Sequence, residues 1–330
     1  MVRGEIMNQE KFDQLVKTFE QAKDSKGRQI NMHYFLLKDK DNCFVHCFKA
    51  KRDMSDIRSI SKTVMTLTAG IVYRLAREGK YTPFSDDTYV YPLIKDVVNL
   101  TNEKNLEYLQ KIQVRHLLTH SIGYDKVLLM RDDIKDIDPH TYVDLLVNYP
   151  LVYEPGEHYL YSNAGFYLLA VTLQEFLQED LLEFITRELF NPLGLEDFRW
   201  ERYGKYLAGA TRLWLFPEGL LQIGELLLNG GVFRGQTIIP KDWLDKMLTL
   251  RFRTKDVDTP ERLFRRYGYG YGIWLAKEDF YFGHGTDGQT LTILPADRGI
   301  IITQAYQHDV EPIEKILSGL IEEYWPFDRF

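Results

Sequence analysis

The sequence predicts a mixed α/β (α+β) fold: an antiparallel sheet built from both chain ends and flanked by helices, with a mostly helical lobe inserted. Three observations predict it. Two strand-like runs joined by a polar turn, at 30–37 and 43–48, follow a helical pattern near the N-terminus. Strand-like runs return only after residue 268, and the long region between has mainly helical periodicity. Since consecutive short strands pair antiparallel, the N-terminal hairpin and the C-terminal strands can complete one sheet.

The individual elements follow in chain order. The first helical pattern, over residues 8–22, carries apolar residues at helical spacing: Phe12, Leu15, Val16 and Phe19. After the hairpin, helical spacing begins at Ser59 and continues to about Glu78. Further helical segments are predicted at 114–118, 166–176, 181–189, 220–228 and 241–250. The C-terminal strands are predicted at 269–275, 280–283, 289–294 and 299–305, followed by a closing helix over 310–324.

This order of elements predicts two lobes. Residues 1–56 together with 255–330 form the sheet lobe with the terminal helices, and residues 57–254 form the mostly helical lobe. A charged stretch at 251–266, predicted to be a solvated loop, lies at their junction. Because ligands commonly bind in clefts, we expect the active site between the two lobes.

The charge distribution argues against a polyanionic partner. The chain has 41 Lys and Arg residues against 48 Asp and Glu, a formal net charge of −7, and no basic tail. Binding to a phosphate backbone needs a cationic face, so nucleic acid is not expected as a partner.

No segment is predicted to span a membrane. The apolar stretch at 64–73 is about ten residues long, roughly half of what a spanning helix needs. The N-terminal residues MVRGEIMNQEKF lack the apolar core and the cleavage site of a secretory signal. A cytoplasmic location is therefore predicted, or a secreted or cell-surface one if an export signal has been trimmed from the sequence.

The sharpest chemical signal is the pair Ser59 and Lys62, three residues apart and therefore on one face of a helix. A serine hydroxyl needs a base to become a good nucleophile, and a lysine with a lowered pKa can be that base. The neighbouring Ser55 and Ser61 have no lysine at the same spacing. By itself this pair is weak evidence, because one such pair arises by chance roughly half the time in a chain of this composition.

Two further elements strengthen the signal. Tyr161-Ser162-Asn163 follows a Pro-Gly turn and precedes an apolar helical segment, which places it on a loop entering a helix. A tyrosine there can shuttle a proton, and the Asn163 amide can hold the lysine or a substrate carbonyl. The third element, His284-Gly285-Thr286, ends a strand-like run, and its histidine is expected to hydrogen-bond Tyr161 or the substrate.

The three elements, in this order, resemble the motifs of the serine β-lactamase and penicillin-binding-protein superfamily, in the branch of class C β-lactamases, D-aminopeptidases, DD-peptidases and esterases. Its motifs are Ser-x-x-Lys, Tyr-x-Asn and Lys/His-Thr/Ser-Gly, and the first two match. Similar segments elsewhere are RHLLTHSIG at 115–123, NPLGL at 191–195 and LNGG at 228–231. The resemblance covers nearly the whole chain. It implies a β-lactamase/transpeptidase-like fold and a serine hydrolase that forms an acyl-enzyme on Ser59, with Lys62 and Tyr161 as the other catalytic residues.

The third motif departs from the family pattern, which bears on the substrate. It reads His284-Gly285-Thr286 and so lacks a hydroxyl at its second position, and Asp287 falls where the family has its second oxyanion-binding amide. A carboxylate there is expected to repel the carboxylate of a β-lactam or a D-Ala terminus. We therefore expect a small ester or amide as substrate. The alternatives are a true class C-type β-lactamase or D-amino-acid peptidase, and a catalytically weak penicillin-binding-type sensor.

No metal or organic cofactor is predicted. The residues from Gly283 to Gly288 fit a G-x-G-x-x-G pattern, but a strand-like run follows where a dinucleotide site needs a helix. His116 and His120 lie in apolar surroundings and are predicted to be structural. The expected partner is a small molecule only, and the oligomeric state is left open.

Overall fold

The computed structural model describes residues 7–254, 267–276 and 279–325. Its α-helices are α1 Gln9–Gln21, α2 Ser61–Arg77, α3 Tyr91–Ile94, α4 Leu106–Leu109, α5 Val114–Leu118, α6 Tyr142–Asn148, α7 Ala164–Leu177, α8 Leu181–Ile185, α9 Asn191–Leu193, α10 Pro217–Leu228, α11 Lys241–Met247 and α12 Glu311–Tyr324. Single 3₁₀ turns lie at Arg58–Ile60, Lys95–Val97, Glu103–Asn105 and Pro139–Thr141, and a π-helical turn at Thr186–Phe190.

The strands are β1 Met32–Lys38, β2 Cys43–Cys47, β3 Ser55–Asp56, β4 Phe198–Trp200, β5 Arg202–Tyr203, β6 Tyr206–Leu207, β7 Leu213–Leu215, β8 Val232–Phe233, β9 Gln236–Thr237, β10 Phe252–Arg253, β11 Gly268–Tyr269, β12 Trp274–Leu275, β13 Tyr281–His284, β14 Thr290–Leu294 and β15 Gly299–Ala305. Within the described residues, eight of them form one sheet in the order β10-β11-β12-β13-β14-β15-β1-β2. All neighbouring pairs are antiparallel.

The sheet joins the two ends of the chain, as predicted. Strand β1 lies between its hairpin partner β2 and the last strand β15, with Phe35 opposite both His46 and Thr303. The fold class predicted from the sequence is therefore confirmed. One detail differs: β10 lies at the end of the region predicted to belong to the helical lobe, yet it forms the far edge of the sheet. The division into two lobes stays a prediction, and residues 255–266 of the charged stretch lie outside the described residues.

Both faces of the sheet are covered, which explains why β13, β14 and β15 are buried along their whole length. On one face, Phe35, Leu37 and Ile301 pack with α1 and α12. On the other face, Leu36 and Ile302 belong to the core that contains α2, α7 and α10. The alternation of side chains along each strand divides the apolar residues between these two cores.

Helix α2 is the central element of the larger core, and almost every residue from Ser61 to Val72 is buried. Gly70 allows Trp243 of α11 to pack against it, since a Cβ there would lie 2.5 Å from the indole. A turn before β12 reaches the same helix: Thr63 donates its hydroxyl to the carbonyl of Gly272 at 2.8 Å. These contacts fix the first turns of α2, and with them the position of Ser59. No helix in the described part of the chain is both long and apolar enough to cross a membrane.

Candidate active site

Ser59 lies where the chain enters the buried helix α2. It is the middle residue of the 3₁₀ turn Arg58–Ile60, which continues directly into α2. The residue is partly exposed, whereas the competing serines Ser55 and Ser61 are both 0% exposed. The Ser61 hydroxyl also donates to the carbonyl of Arg58 at 2.6 Å. Of these three serines, Ser59 is the one that a ligand can reach.

The side chain of Lys62 is buried and reaches Ser59. Its Nζ donates to Oγ of Ser59 at 2.9 Å, to Oδ1 of Asn163 at 3.0 Å and to the carbonyl oxygen of Ala210 at 3.2 Å. Burial disfavours the ammonium form and lowers the pKa of Lys62 from 10.5 to about 7. An amine with this pKa exchanges its proton readily near neutral pH.

The three acceptors suit both protonation states of Lys62. An ammonium has three N–H donors, one for each acceptor. A neutral amine has two N–H donors and a lone pair, so donation to Asn163 and Ala210 leaves the lone pair facing the Ser59 hydroxyl. The arrangement can therefore accept the Ser59 proton. Sequence reasoning missed Ala210, because any residue can supply a main-chain carbonyl and no motif marks it.

Tyr161 lies beside the same amine. Nζ of Lys62 is 4.8 Å from the centroid of the Tyr161 ring, over its face. The Tyr161 ring also stacks on Trp274, with 5.4 Å between ring centroids, and contacts His120, with 4.5 Å between ring centroids. Asn163, two residues on, is the N-cap residue of α7, and its Nδ2 donates to the carbonyl of Leu129 at 2.8 Å. The structure thus brings both members of the Tyr-x-Asn pair to Lys62.

His120 is buried behind Tyr161. Its Nε2 lies 3.2 Å from the hydroxyl of Tyr269, and its carbonyl accepts from the N–H of Leu160 at 2.8 Å. It adopts a left-handed backbone conformation with φ of 56°, which histidine tolerates better than most residues. Burial and the nearby charge of Lys62 lower the pKa of His120 well below 6.5, so the ring is neutral. Sequence reasoning placed it correctly in apolar surroundings but missed its contact with Tyr161.

The third motif starts at the last residue of a strand and continues into a turn. Strand β13 ends at His284, and Thr286 is exposed in the turn to β14. The His284 ring is buried, with Nε2 3.1 Å from Oε1 of Glu314 on α12, a partner that the sequence did not reveal. A Cβ on Gly285 would lie 2.9 Å from Cβ of Arg58, which is too close. The glycine therefore allows this turn to pack against Arg58, the residue before Ser59. The expected hydrogen bond from His284 to Tyr161 or the substrate stays a prediction.

Asp287 also differs from the expectation. Its N–H, expected to bind an oxyanion, donates to Oε1 of Gln289 at 3.2 Å. Its carboxylate accepts from Nε of Arg58 at 2.9 Å and from Nη2 of Arg131 at 3.3 Å. Two guanidinium groups therefore offset the carboxylate charge, which weakens the predicted repulsion of a substrate carboxylate. The sequence gives no spacing signal for Arg131, which lies on the loop after residue 123.

Within residues 7–254, 267–276 and 279–325, no three or more His, Cys, Asp or Glu side chains are grouped so that they can hold a metal ion.

A model of the Beta-lactamase family matches residues 51–314, a segment that contains Ser59, Lys62, Tyr161 and the turn after β13. The chain belongs to the Beta-lactamase family. This membership confirms the resemblance to the serine β-lactamase and penicillin-binding-protein superfamily. The finer assignment to the class C-related branch stays a prediction.

One relative by sequence is a penicillin-binding protein that is much longer than the aligned segment. Penicillin-binding protein 4* of Bacillus subtilis (strain 168) is 32% identical over 96 residues, which are 27% of this chain and 21% of the relative. The chain thus aligns with about a fifth of that relative's length.

Two solved structures share the fold of this Beta-lactamase family member. The penicillin binding protein from Bacillus halodurans has a TM-score of 0.68 and 18% identity, covering 93% of this chain and 99% of its own. The D-stereospecific amidohydrolase from Streptomyces sp. has a TM-score of 0.65 and 18% identity, covering 94% and 98%. These likenesses confirm the predicted β-lactamase/transpeptidase-like fold.

Proposed function

We propose that the protein cleaves a small ester or amide through an acyl-enzyme formed on Ser59. The observation that carries this proposal is the contact between the partly exposed Ser59 hydroxyl and the fully buried amine of Lys62, 2.9 Å apart. Burial lowers the pKa of Lys62 to about 7, so the amine is available as a base near neutral pH. A serine without such a partner is a poor nucleophile.

The proposed reaction has two stages. In the first, the neutral amine of Lys62 takes the Ser59 proton while Oγ attacks the acyl carbon. The bond to the leaving group then breaks, and Lys62 or Tyr161 returns the proton to the leaving oxygen or nitrogen. In the second, water attacks the acyl carbon, the bond to Oγ of Ser59 breaks and the acid is released, while a proton from the water passes through Lys62 back to Oγ. In this proposal the main-chain N–H of Ser59 donates a hydrogen bond to the oxyanion.

The substrate class is argued from the surroundings of Ser59. The second position of the third motif is Gly285, which lacks the hydroxyl of the family pattern, so the family's usual contact to a β-lactam or D-Ala carboxylate is altered. The amidohydrolase with the same fold supports an amide or ester. The penicillin-binding relatives support the alternative, a β-lactam or a D-amino-acid peptide.

Intact-protein mass spectrometry tests the proposal. The protein is mixed with p-nitrophenyl esters, nitrocefin and D-amino-acid amides, and separately with a fluorophosphonate probe. We expect a covalent adduct on the wild type and on Ser61→Ala, whose hydroxyl is buried, and none on Ser59→Ala. Equal labelling of Ser59→Ala and the wild type contradicts Ser59 as the nucleophile.

The same experiment separates the alternatives. Ester or amide turnover with inert nitrocefin supports the small-ester or amide assignment, and strong nitrocefin turnover with inert esters supports a β-lactamase. An adduct that forms and does not decay within hours indicates a sensor that becomes acylated without turnover. Loss of Ser59 is expected to lower turnover by about three or more orders of magnitude.

A further inference from the structure

Arg58, the residue before Ser59, adopts a strained backbone conformation. Its φ is 52°, in the left-handed region where glycine is favoured and a long side chain is unfavourable. Strain of this kind persists only where surrounding contacts impose it, and it is often found at functional sites. Because the strained residue directly precedes the proposed nucleophile, its conformation sets the position of the Ser59 main chain.

The contacts that impose this conformation come from Asp56. The carboxylate of Asp56 accepts from the main-chain N–H of Arg58 at 2.8 Å and from its Nη1 at 2.7 Å. Asp56 lies on β3 and is itself buried. Its own N–H donates to the hydroxyl of Tyr306 at 3.2 Å, and the guanidinium of Arg58 lies 5.8 Å from the centroid of the Tyr306 ring.

The other side of the same guanidinium holds the turn after β13. Nε of Arg58 donates to Oδ2 of Asp287 at 2.9 Å, across 229 positions of sequence. The two main chains are close here, since a Cβ on Gly285 would lie 2.9 Å from Cβ of Arg58. One side chain therefore connects the start of the nucleophile turn to the turn that carries the third motif.

We propose that Arg58 is a positioning residue that fixes Ser59 relative to the turn Gly285–Gly288, by bridging Asp56 and Asp287. The proposal rests on the proposed function, since it concerns the nucleophile named there. Arg58 is suited to this role because a planar guanidinium can bind two carboxylates at once. Its side chain is only 15% exposed, so it acts within the protein rather than as a substrate ligand. Arg131, the second partner of Asp287, is 60% exposed. Its hydrogen bond goes to Asp287, whereas Arg58 belongs to the turn Arg58–Ile60 that carries Ser59.

The test is a set of variants assayed with whichever acyl donor labels the wild type. Arg58→Lys keeps the charge but cannot bridge both carboxylates, and Asp287→Asn keeps the shape of one partner but removes its charge. Arg58→Lys/Asp287→Asn completes a double-mutant cycle. We expect each single change to lower kcat by about 10- to 100-fold with a smaller change in KM. The double variant is expected to lose little more than either single variant.

Arg234→Gly is the matched control for the backbone. Arg234 also has a left-handed backbone, with φ of 47°, but lies exposed in the β8–β9 turn. We expect its kcat and KM to equal those of the wild type. Melting curves for every variant confirm that the assayed protein is folded, and Asp287→Asn remains decisive if Arg58→Lys does not fold.

Three results overturn the proposal. The first is a wild-type kcat in folded Arg58→Lys and Asp287→Asn, and the second is additive losses in the double variant. The third is a rise in KM with unchanged kcat, which makes Arg58 a substrate ligand. Failure of the proposed function is recognised separately, because the Ser59→Ala variant then still takes the probe.

Discussion

The amine of Lys62 lies over the ring face of Tyr161, 4.8 Å from its centroid, while the same nitrogen is 2.9 Å from Oγ of Ser59. The electron-rich face of an aromatic ring favours a cation, whereas burial disfavours one. Burial dominates, and the pKa of Lys62 is lowered to about 7. A base that is half protonated near neutral pH makes the proposed acylation sensitive to pH in the physiological range.

We therefore predict that kcat/KM rises with pH through a midpoint near 7. Below that pH Lys62 is an ammonium and cannot accept the Ser59 proton, and above it the neutral amine can. The measurement is kcat/KM for one ester from about pH 5 to about pH 9, in buffers of constant ionic strength. A rate that is constant across this range, or that rises only near the ordinary lysine pKa of 10.5, contradicts the role of Lys62.

Asn163 provides a way to move that midpoint. Its Oδ1 accepts from Lys62 at 3.0 Å, so Asn163→Asp places a negative charge beside the amine and favours the ammonium form. We predict that the midpoint moves to higher pH by roughly 1 unit or more and that the rate at pH 7 falls. Asn163→Ala is the control, since both variants lose the bond to Leu129 and only one adds charge. Identical midpoints in the two variants mean that the rise of kcat/KM with pH does not reflect the titration of Lys62.

The core of this site was predictable from sequence because its parts are local. Ser59 and Lys62 share one helix turn, and Tyr161 and Asn163 share one loop, so each pair is a short motif, and the order of the motifs along the chain made the signal specific. The sheet was also predictable, since the hairpin at 30–48 and the late strands have clear turn signals and alternation.

The remaining contacts depend on tertiary structure. Ala210 acts through its main-chain carbonyl, which every residue has. Arg131 reaches Asp287 from a loop 156 positions away, and Glu314 reaches His284 from the last helix. The sequence placed Asp287 correctly next to the third motif but could not show that Gln289 accepts from its N–H, because this bond depends on the shape of the turn.

Removal of the buried amine is predicted to stabilise the fold. The pKa of Lys62 is lower in the folded chain than in the unfolded one, so the unfolded state binds more protons between about pH 7 and 10.5. The free energy of unfolding therefore rises with pH between these two values. The cost of burying the Lys62 ammonium is greatest below about pH 7, where the group is protonated in both states. We predict that Lys62→Met raises the free energy of unfolding by on the order of 2 kcal/mol at neutral pH, less than full linkage because Asn163 and Ala210 lose a donor.

The pH dependence of that gain is the diagnostic measurement. Denaturant unfolding of the wild type and of Lys62→Met is compared at about pH 6 and about pH 9, and the gain is expected to be larger at the lower pH. Activity of Lys62→Met is expected to be lost at both. A gain that grows with pH, or a destabilised Lys62→Met, contradicts the lowered pKa.

His120 gives the last prediction, because a histidine near the site is the other candidate for a group that titrates near neutral pH. Its ring is buried against Tyr161, and both burial and the charge of Lys62 keep its pKa well below 6.5. We predict that His120→Phe lowers kcat by about tenfold, since an aromatic ring is kept while the hydrogen bonds with Tyr269 and from the N–H of Ser162 are lost, and phenylalanine fits the left-handed backbone less well. The midpoint of the pH profile is predicted to stay near 7, because a neutral imidazole contributes no charge to Lys62.

His308→Gln changes an exposed histidine; it is the control and is expected to match the wild type. If the rise of kcat/KM near pH 7 disappears in His120→Phe but persists in Lys62 variants that retain activity, the titrating group is His120, and the assignment of Lys62 as the base is wrong.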